Sequence, residues 1–254
     1  MVTGVRITRT GLTPLKGGRH QALPWVDLEP DGPVGDRAFC LVDRERGRVV
    51  RTVGAPALVA TTTTWSAGVL TSTLPDRTVE GVPGSTGETV KVDYWGRTVA
   101  LDVVAGPWAA AFSTYLGTEV VLARATAPGD VVYAGPVSLV TTSSMALLAE
   151  RSGRPVDPVA FRSTFVVDTD DLPAHVEDGW AGGTLRLGDA VVEVRSALPR
   201  CAVVDLDPET GERAHPLLAT LAGYRRRGGE VLFGVDAVVR VPGRVSAGDL
   251  VERG

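Results

Sequence analysis

Period-two alternation interrupted by glycine and proline is the feature that most narrows what this chain can become. "GVRITRT" near the N-terminus, "AFCLVD" (38–43), "RVVRTV" (48–53), "LVATTTTW" (58–65), "ETVKVDYW" (88–95) and "RTVALDVV" (97–104) all read as strands, and 30 glycines and 17 prolines supply the punctuation. "YWGRT" predicts a tight hairpin, because Gly96 can take the positive φ that a short loop needs. "TLPDRTVEGVPGSTGE" (73–88) is the most loop-like segment and is expected to be mobile.

Helices are fewer. "PWAAAFSTYLG" predicts one that starts at Pro107 and stops at Gly117. "VSLVTTSSMALLAERSG" reads as a strand entering a helix, with Thr142, Ser143 and Ser144 as N-cap candidates and Gly153 as the stop. A helix start that delivers hydroxyls and unpaired N–H groups is suited to an anion. "FRSTFVVD" (161–168), "TLRLG" (184–188) and "AVVEVRSA" (190–197) are further strands, "PLLATLAGYRR" (216–226) is a helix, and "VLFGVDAVVRVPGRVSAGDLVE" closes the chain with two more strands. The fold class is therefore mainly β with a few helices (α+β). A β-rich unit runs to about residue 105, and a β-barrel unit with helices follows about residue 130.

At 254 residues the chain can bury a core without disulfides, and its net charge of −4 argues against a general nucleic-acid binder. No 18-residue apolar run and no basic-then-apolar N-terminus is present, so no membrane partner and a cytoplasmic location are expected. Cys40 and Cys201 form no CxxC, and His20, His175 and His215 lie near neither in sequence, which gives little support to zinc or a disulfide.

Cys40 alternates with apolar neighbours and reads as structural. Cys201 follows Arg200 and Pro199 and precedes the turn residues "DPETG". An adjacent cation lowers a thiol pKa, and Pro199 interrupts the strand. Cys201 is accordingly a buried small hydrophobe, a nucleophile or a soft-metal ligand, and no histidine stands out as a base for the second role.

"PLKGG" (14–18), "GDRAFCLVD" (35–43), "FRSTFVVD", "PRCAVVDLDPETG" (199–211), "PLLATLAGYR", "LFGVDAVV" (232–239) and "PGRVSAGDLV" (242–251) occur in the order found in MOSC-domain proteins. The chain resembles those in which an N-terminal MOSC β-barrel domain precedes the MOSC domain proper, the group of the mitochondrial amidoxime-reducing component. The resemblance implies an N-terminal domain over 1–105, a helical linker over 106–130 and the MOSC domain over 131–254, with part of the N-terminal segment packing against the last. It further implies a molybdenum cofactor (Mo-molybdopterin) with Cys201 as metal ligand and catalytic residue. Lys16, Gly17, Arg37, Thr142, Ser143, Arg162, Ser163, Thr164 and Arg200 would join Cys201 in binding the cofactor. Arg37 has a plainer alternative, pairing with Asp36 or Asp43.

The family's reductases usually carry Arg-Pro-Asn where this chain has Arg162, Ser163 and Thr164, and a serine where it has Gly17. Two cysteines give no basis for an iron–sulfur cluster. The implied function is molybdenum-dependent reduction of a small N-hydroxylated or N-oxide-type substrate, with electrons from a separate flavin reductase or ferredoxin-type protein. The alternatives are a cofactor carrier or sulfur-handling module, and a barrel without cofactor.

Overall fold

A computed structural model of the chain describes residues 4–126 and 129–254. Two bodies of sheet share it. The first is a closed barrel of five strands in the order Gly84–Tyr94, Arg97–Ala105, Val120–Ala125, Phe39–Asp43, Arg48–Val49, closed by a parallel pairing of Asp93 with Arg48. All five residues of Phe39–Asp43 are buried. Alternate side chains of a strand face opposite ways, so Cys40 and Val42 enter the barrel interior with Val92, Tyr94 and Leu101, while Phe39 and Leu41 face an outer core. Burial pushes the Cys40 thiol up to about 12, in keeping with a structural role.

That outer core lies under a three-stranded meander, Thr62–Ser66, Val69–Leu74 and Arg77–Gly81, and helix α1, Trp108–Leu116. Trp108 and Phe112 from α1 fill it against Leu70 and Leu74. The span 106–130, expected as a linker, thus contributes a core helix and a barrel strand. The segment 73–88 also departs from expectation: it holds the Leu74↔Arg77 hairpin and the start of the Gly84–Tyr94 strand. Its threonines and valines favour strands, its polar residues face solvent, and Pro75 falls in the turn, outside the ladder. Two other expected strands are shortened. The strand at Arg48 ends at Val49, and Pro56–Ala60 is a 3₁₀ turn.

The second body is a sheet in the order Gln21–Leu23, Arg6–Leu12, Phe165–Asp168, Val137–Thr141, Glu230–Val241, Ala190–Pro199, Thr184–Leu187, Val251–Arg253. Its one parallel pair joins Val137–Thr141 to Phe165–Asp168 through helix α2, Thr142–Ser152. Leu139, Phe165 and Val167 point into one core, whereas Val140 and Val166 point into another beneath α2 and helix α3, Leu217–Arg225. The N-terminal strands sit with this body: Arg6–Leu12 pairs with Phe165–Asp168 inside the sheet, and Trp25–Glu29 pairs with Gly243–Ser246 in a separate three-stranded sheet whose Val26, Leu28 and Val245 share its core. The chain therefore crosses between the two bodies around residues 13–38, and the functional side chains cluster near that crossing.

Gly106 fixes how α1 sits. Its φ is +142°, and a Cβ there would lie 2.2 Å from the Trp108 ring. Gly106→Ala is expected to lower stability by about 2 kcal/mol or more, read as a lowered urea midpoint with unchanged slope.

Candidate functional site

The site is built from four stretches of chain. Lys16 lies on a loop anchored by its own backbone N–H to the Phe39 carbonyl, 2.8 Å away. Gly17 follows at φ +95°, where a Cβ would stand 2.9 Å from Leu58 Cδ1, so the serine usual in the family would be strained here. Arg37 and Arg162 are both left-handed, at φ 49° and 52°, which is rare for side chains of their size. Arg162 ends the 3₁₀ turn Pro158–Phe161 and Arg200 ends the Ala190–Pro199 strand, directly before Cys201.

Beyond Pro199 the backbone leaves the ladder and enters the 3₁₀ turn Ala202–Asp205, with Cys201 at its N-terminus. The break turns two adjacent side chains to different tasks. Cys201 is exposed. Arg200 points inward, donating from Nε to the Phe233 carbonyl at 2.8 Å, from Nη1 to the Phe161 carbonyl at 2.9 Å and from Nη2 to Ser163 Oγ at 3.4 Å. Its guanidinium also lies 5.3 Å from the Phe161 ring centroid. The sequence suggests Arg200 as a charge for the thiol and cofactor. The structure adds a strut that fixes the cysteine loop to two other segments.

The electrostatics show which groups converge. Burial, with Arg37 and Arg162 nearby, brings Lys16 down to about 7. Burial and Arg37 lower Arg162 to about 10, opposed by Asp36, Cys201 and Tyr94. Burial lowers Arg200 to about 10 as well, against the upward pull of Cys201. Arg162 and Arg200 thus flank the Cys201 thiol, Arg37 and Lys16 stand beside Arg162, and Asp36 is the carboxylate felt by Lys16 and Arg162. Asp36 is already engaged, accepting from the Thr13 N–H at 2.8 Å and pairing with Arg37. Arg37 therefore has the Asp36 partner of the plainer reading, while Asp43 pairs with Arg46.

Lys16 has no ion pair among the described residues, its ammonium standing 4.8 Å from the Tyr94 ring centroid. Arg162 Nε and Tyr94 Oη are buried without hydrogen-bond partners. Unsatisfied donors beside surplus positive charge mark a place for an anion.

The hydroxyls divide. Ser163 accepts from Arg200, and Thr164 exchanges two 3.1 Å hydrogen bonds with Ser138, so both lie at the cationic end of the sheet and are already bonded. Thr142 and Ser143 stand apart, about 13 Å along the strand from Ser138 at ordinary strand rise. There Thr142 Oγ1 accepts from the Thr169 N–H at 2.9 Å and Ser143 Oγ meets Thr169 Oγ1 at 2.7 Å. These bonds tie the end of one parallel strand to the other, and none of the basic side chains is their partner; the N-cap expected at Thr142, Ser143 or Ser144 is instead Thr141, which makes no side-chain cap hydrogen bond. Asp205 accepts from the Leu218 N–H at 2.7 Å and so caps α3.

Sequence reasoning misses Tyr94, Arg97 and His20. Tyr94 carries Lys16 near its ring, with the Arg97 guanidinium 5.4 Å from the same centroid. His20 is buried, with Nδ1 3.2 Å from Thr13 Oγ1, and burial beside Arg9, Arg162 and Arg37 holds its pKa well below the usual value. It stays neutral and adds no charge to the cluster. Among the described residues, no group of three or more His, Cys, Asp or Glu is placed to hold a metal ion, and no helix is long and apolar enough to cross a membrane.

A five-strand barrel joined to a sheet that presents a cysteine beside clustered cations defines the class, and sequence comparison agrees. The MOSC domain model matches residues 123–252 and the MOSC N-terminal beta barrel domain model matches residues 5–119. The chain belongs to the MOSC-domain family, with the N-terminal MOSC barrel ahead of the MOSC domain. It is 32% identical over 117 residues to a molybdenum cofactor sulfurase of Oryza sativa subsp. japonica, covering 42% of this chain and 14% of that protein. It is also 32% identical over 126 residues to mitochondrial amidoxime-reducing component 1 of Homo sapiens, covering 46% of this chain and 36% of that protein. The matches thus span well under half the length of these relatives. The crystal structure of the YUAD protein from Bacillus subtilis superposes with a TM-score of 0.50 at 12% identity, covering 99% of this chain and 96% of that one, a likeness of fold.

Lys16 generates a pH dependence. Its folded pKa of about 7 lies below the ordinary 10.5, so the unfolded chain binds more protons between those values and stability rises with pH across that window. Lys16→Met removes the strain. At pH 7 the ligand-free variant is expected to melt a few degrees higher, a gain of about 1–2 kcal/mol because solvent screens the partly exposed ammonium, and the gain shrinks toward pH 10. Thermal denaturation of both proteins across that range checks it.

Proposed function

We propose that this chain binds the molybdenum cofactor at Cys201 and reduces small N-hydroxylated or N-oxide-type molecules, with electrons from a separate donor protein. The observation that carries the reading is an exposed thiol beside Arg162 and Arg200, with Lys16 and Arg37 next to Arg162 and with the Arg162 Nε and the Lys16 ammonium unpaired. These groups fit an anionic, sulfur-bound metal centre. A thiolate is a soft ligand, and a multiply charged ligand balances the cations that now repel one another.

When bound, the cofactor supplies a metal centre that exchanges two electrons and takes an oxygen atom from substrate. The chain's own residues hold it. Cys201 provides the protein ligand, and the three bonds of Arg200 fix the loop that presents it. Arg37 and Arg162 neutralise negative charge, their left-handed backbones setting where the guanidiniums point. Lys16, brought down to about 7 when alone, takes up a proton when an anion arrives. In the net reaction the substrate N–O bond breaks, two electrons and two protons are consumed, and the oxygen leaves as water.

One observation favours a second reading. The rice sulfurase matches as well as the human reductase component, and the accessible Cys201 thiol suits a carrier or sulfur-handling role equally. Reduction of benzamidoxime by the cofactor-loaded protein with reduced methyl viologen separates the two. Turnover is expected in the wild type, with a loss of about 100-fold or more in Cys201→Ser. A loaded wild type that does not turn over contradicts the reductase reading and supports the carrier.

A further inference from the structure

The hairpin that supplies Tyr94 to the site turns through Trp95 and Gly96, at φ 55° and 77°. Such a turn favours Asn-Gly, and a tryptophan in left-handed backbone carries a steric cost that the turn itself does not require. Trp95 nevertheless stays 53% exposed, and Tyr133, 58% exposed, leans on it with ring centroids 4.9 Å apart. The Arg51 guanidinium lies 4.8 Å from the Trp95 ring centroid. Arg97 donates to the carbonyls of Asp130 and Val132 at 3.4 and 3.1 Å, which secures the backbone that carries Tyr133.

The charge of this face runs against that of the chain. Arg51 and Arg97 are exposed beside the aromatic pair and Arg48 is exposed opposite Asp93, with Asp93 and Asp130 as the neighbouring acids, on a protein of net charge −4. The Asp93 carboxylate accepts from the Gly96 N–H at 3.0 Å, so it is part of the turn. Exposed Trp, Tyr and Arg side chains are the residue types that dominate protein–protein binding energy, and a positive rim steers an acidic partner. The surface is an exposed hairpin turn, accessible to a macromolecule. It also adjoins the site, because Tyr94 lies between Lys16 and Arg97.

We propose that Trp95, Tyr133 and Arg51 form the docking surface for an acidic electron-carrier protein. This rests on the reductase reading, since a carrier module needs no electron donor, but its binding measurement needs no turnover. The full chain would be titrated against two acidic probes, a plant-type [2Fe–2S] ferredoxin and a flavodoxin, by biolayer interferometry at low and high salt. Binding to at least one is expected, weakened by salt and reduced by roughly tenfold or more in each of Trp95→Ala, Tyr133→Ala and Arg51→Glu. Circular dichroism confirms that the variants fold, and the three separate substitutions guard against one that does not.

Absence of salt-sensitive binding to both probes, or binding that none of the folded variants changes, overturns the docking surface. So does a rise in the benzamidoxime KM of Trp95→Ala with reduced methyl viologen as donor, because that makes the pair a substrate contact. Failure of the reductase reading shows instead as absent turnover with methyl viologen while ferredoxin or flavodoxin binding persists.

Discussion

The guanidinium of Arg200 joins three parts of the molecule that the chain visits far apart. Its bonds reach the carbonyls of Phe161 and Phe233 and the hydroxyl of Ser163, while its own backbone begins the loop that carries Cys201. Planar donors suit this task, because one side chain can satisfy several acceptors in fixed directions. Without it the two carbonyls lose a charged partner, and the 2.8 Å bond from Arg200 N–H to the Val231 carbonyl remains as the backbone tie at the start of the cysteine loop. The position of the thiol is thus a consequence of packing inside the larger sheet.

Around that fixed loop the protein gathers like charges at some cost to itself. Lys16 and Arg37 come from the crossing between the two bodies, Arg162 and Arg200 from the larger sheet, and burial together with a neighbouring arginine lowers the pKa of Lys16, Arg162 and Arg200. Stability alone would favour another carboxylate beside Asp36. The surplus, together with two left-handed arginines, is strain of the kind that functional sites retain. Bound anion relieves it, so affinity and folding draw on the same electrostatic term.

Much of this is legible in the sequence, and the boundary has physical causes. Strand alternation and Gly or Pro stops announce most elements, because they depend on neighbours a few residues away. Polar strands in 73–88 read as a loop, because an exposed strand lacks the apolar alternation that marks a half-buried one. Lys16, Arg37, Arg162 and Cys201 are legible as charges and a thiol in ordered motifs. The bonding of Arg200 is not, since its acceptors are backbone carbonyls that carry no residue signature. Tyr94 and His20 become visible only when the fold brings residues 16, 20, 94 and 162 together. Thr142 and Ser143 look like anion ligands from cap chemistry alone, whereas the folded chain gives their hydroxyls to Thr169.

In the proposed reading the cation cluster and Cys201 form one site for one anionic, metal-bearing ligand. Its most direct measurement is molybdenum and pterin content per chain in protein purified from a cofactor-producing host, for wild type, Cys201→Ala and the Arg37→Ala/Arg162→Ala double variant. Near-stoichiometric molybdenum and pterin are expected in wild type, and loss of metal or an altered electronic spectrum in Cys201→Ala. Little of either is expected in the double variant, although that protein folds. Wild type free of both, or a double variant that loads as fully as wild type, would contradict that reading.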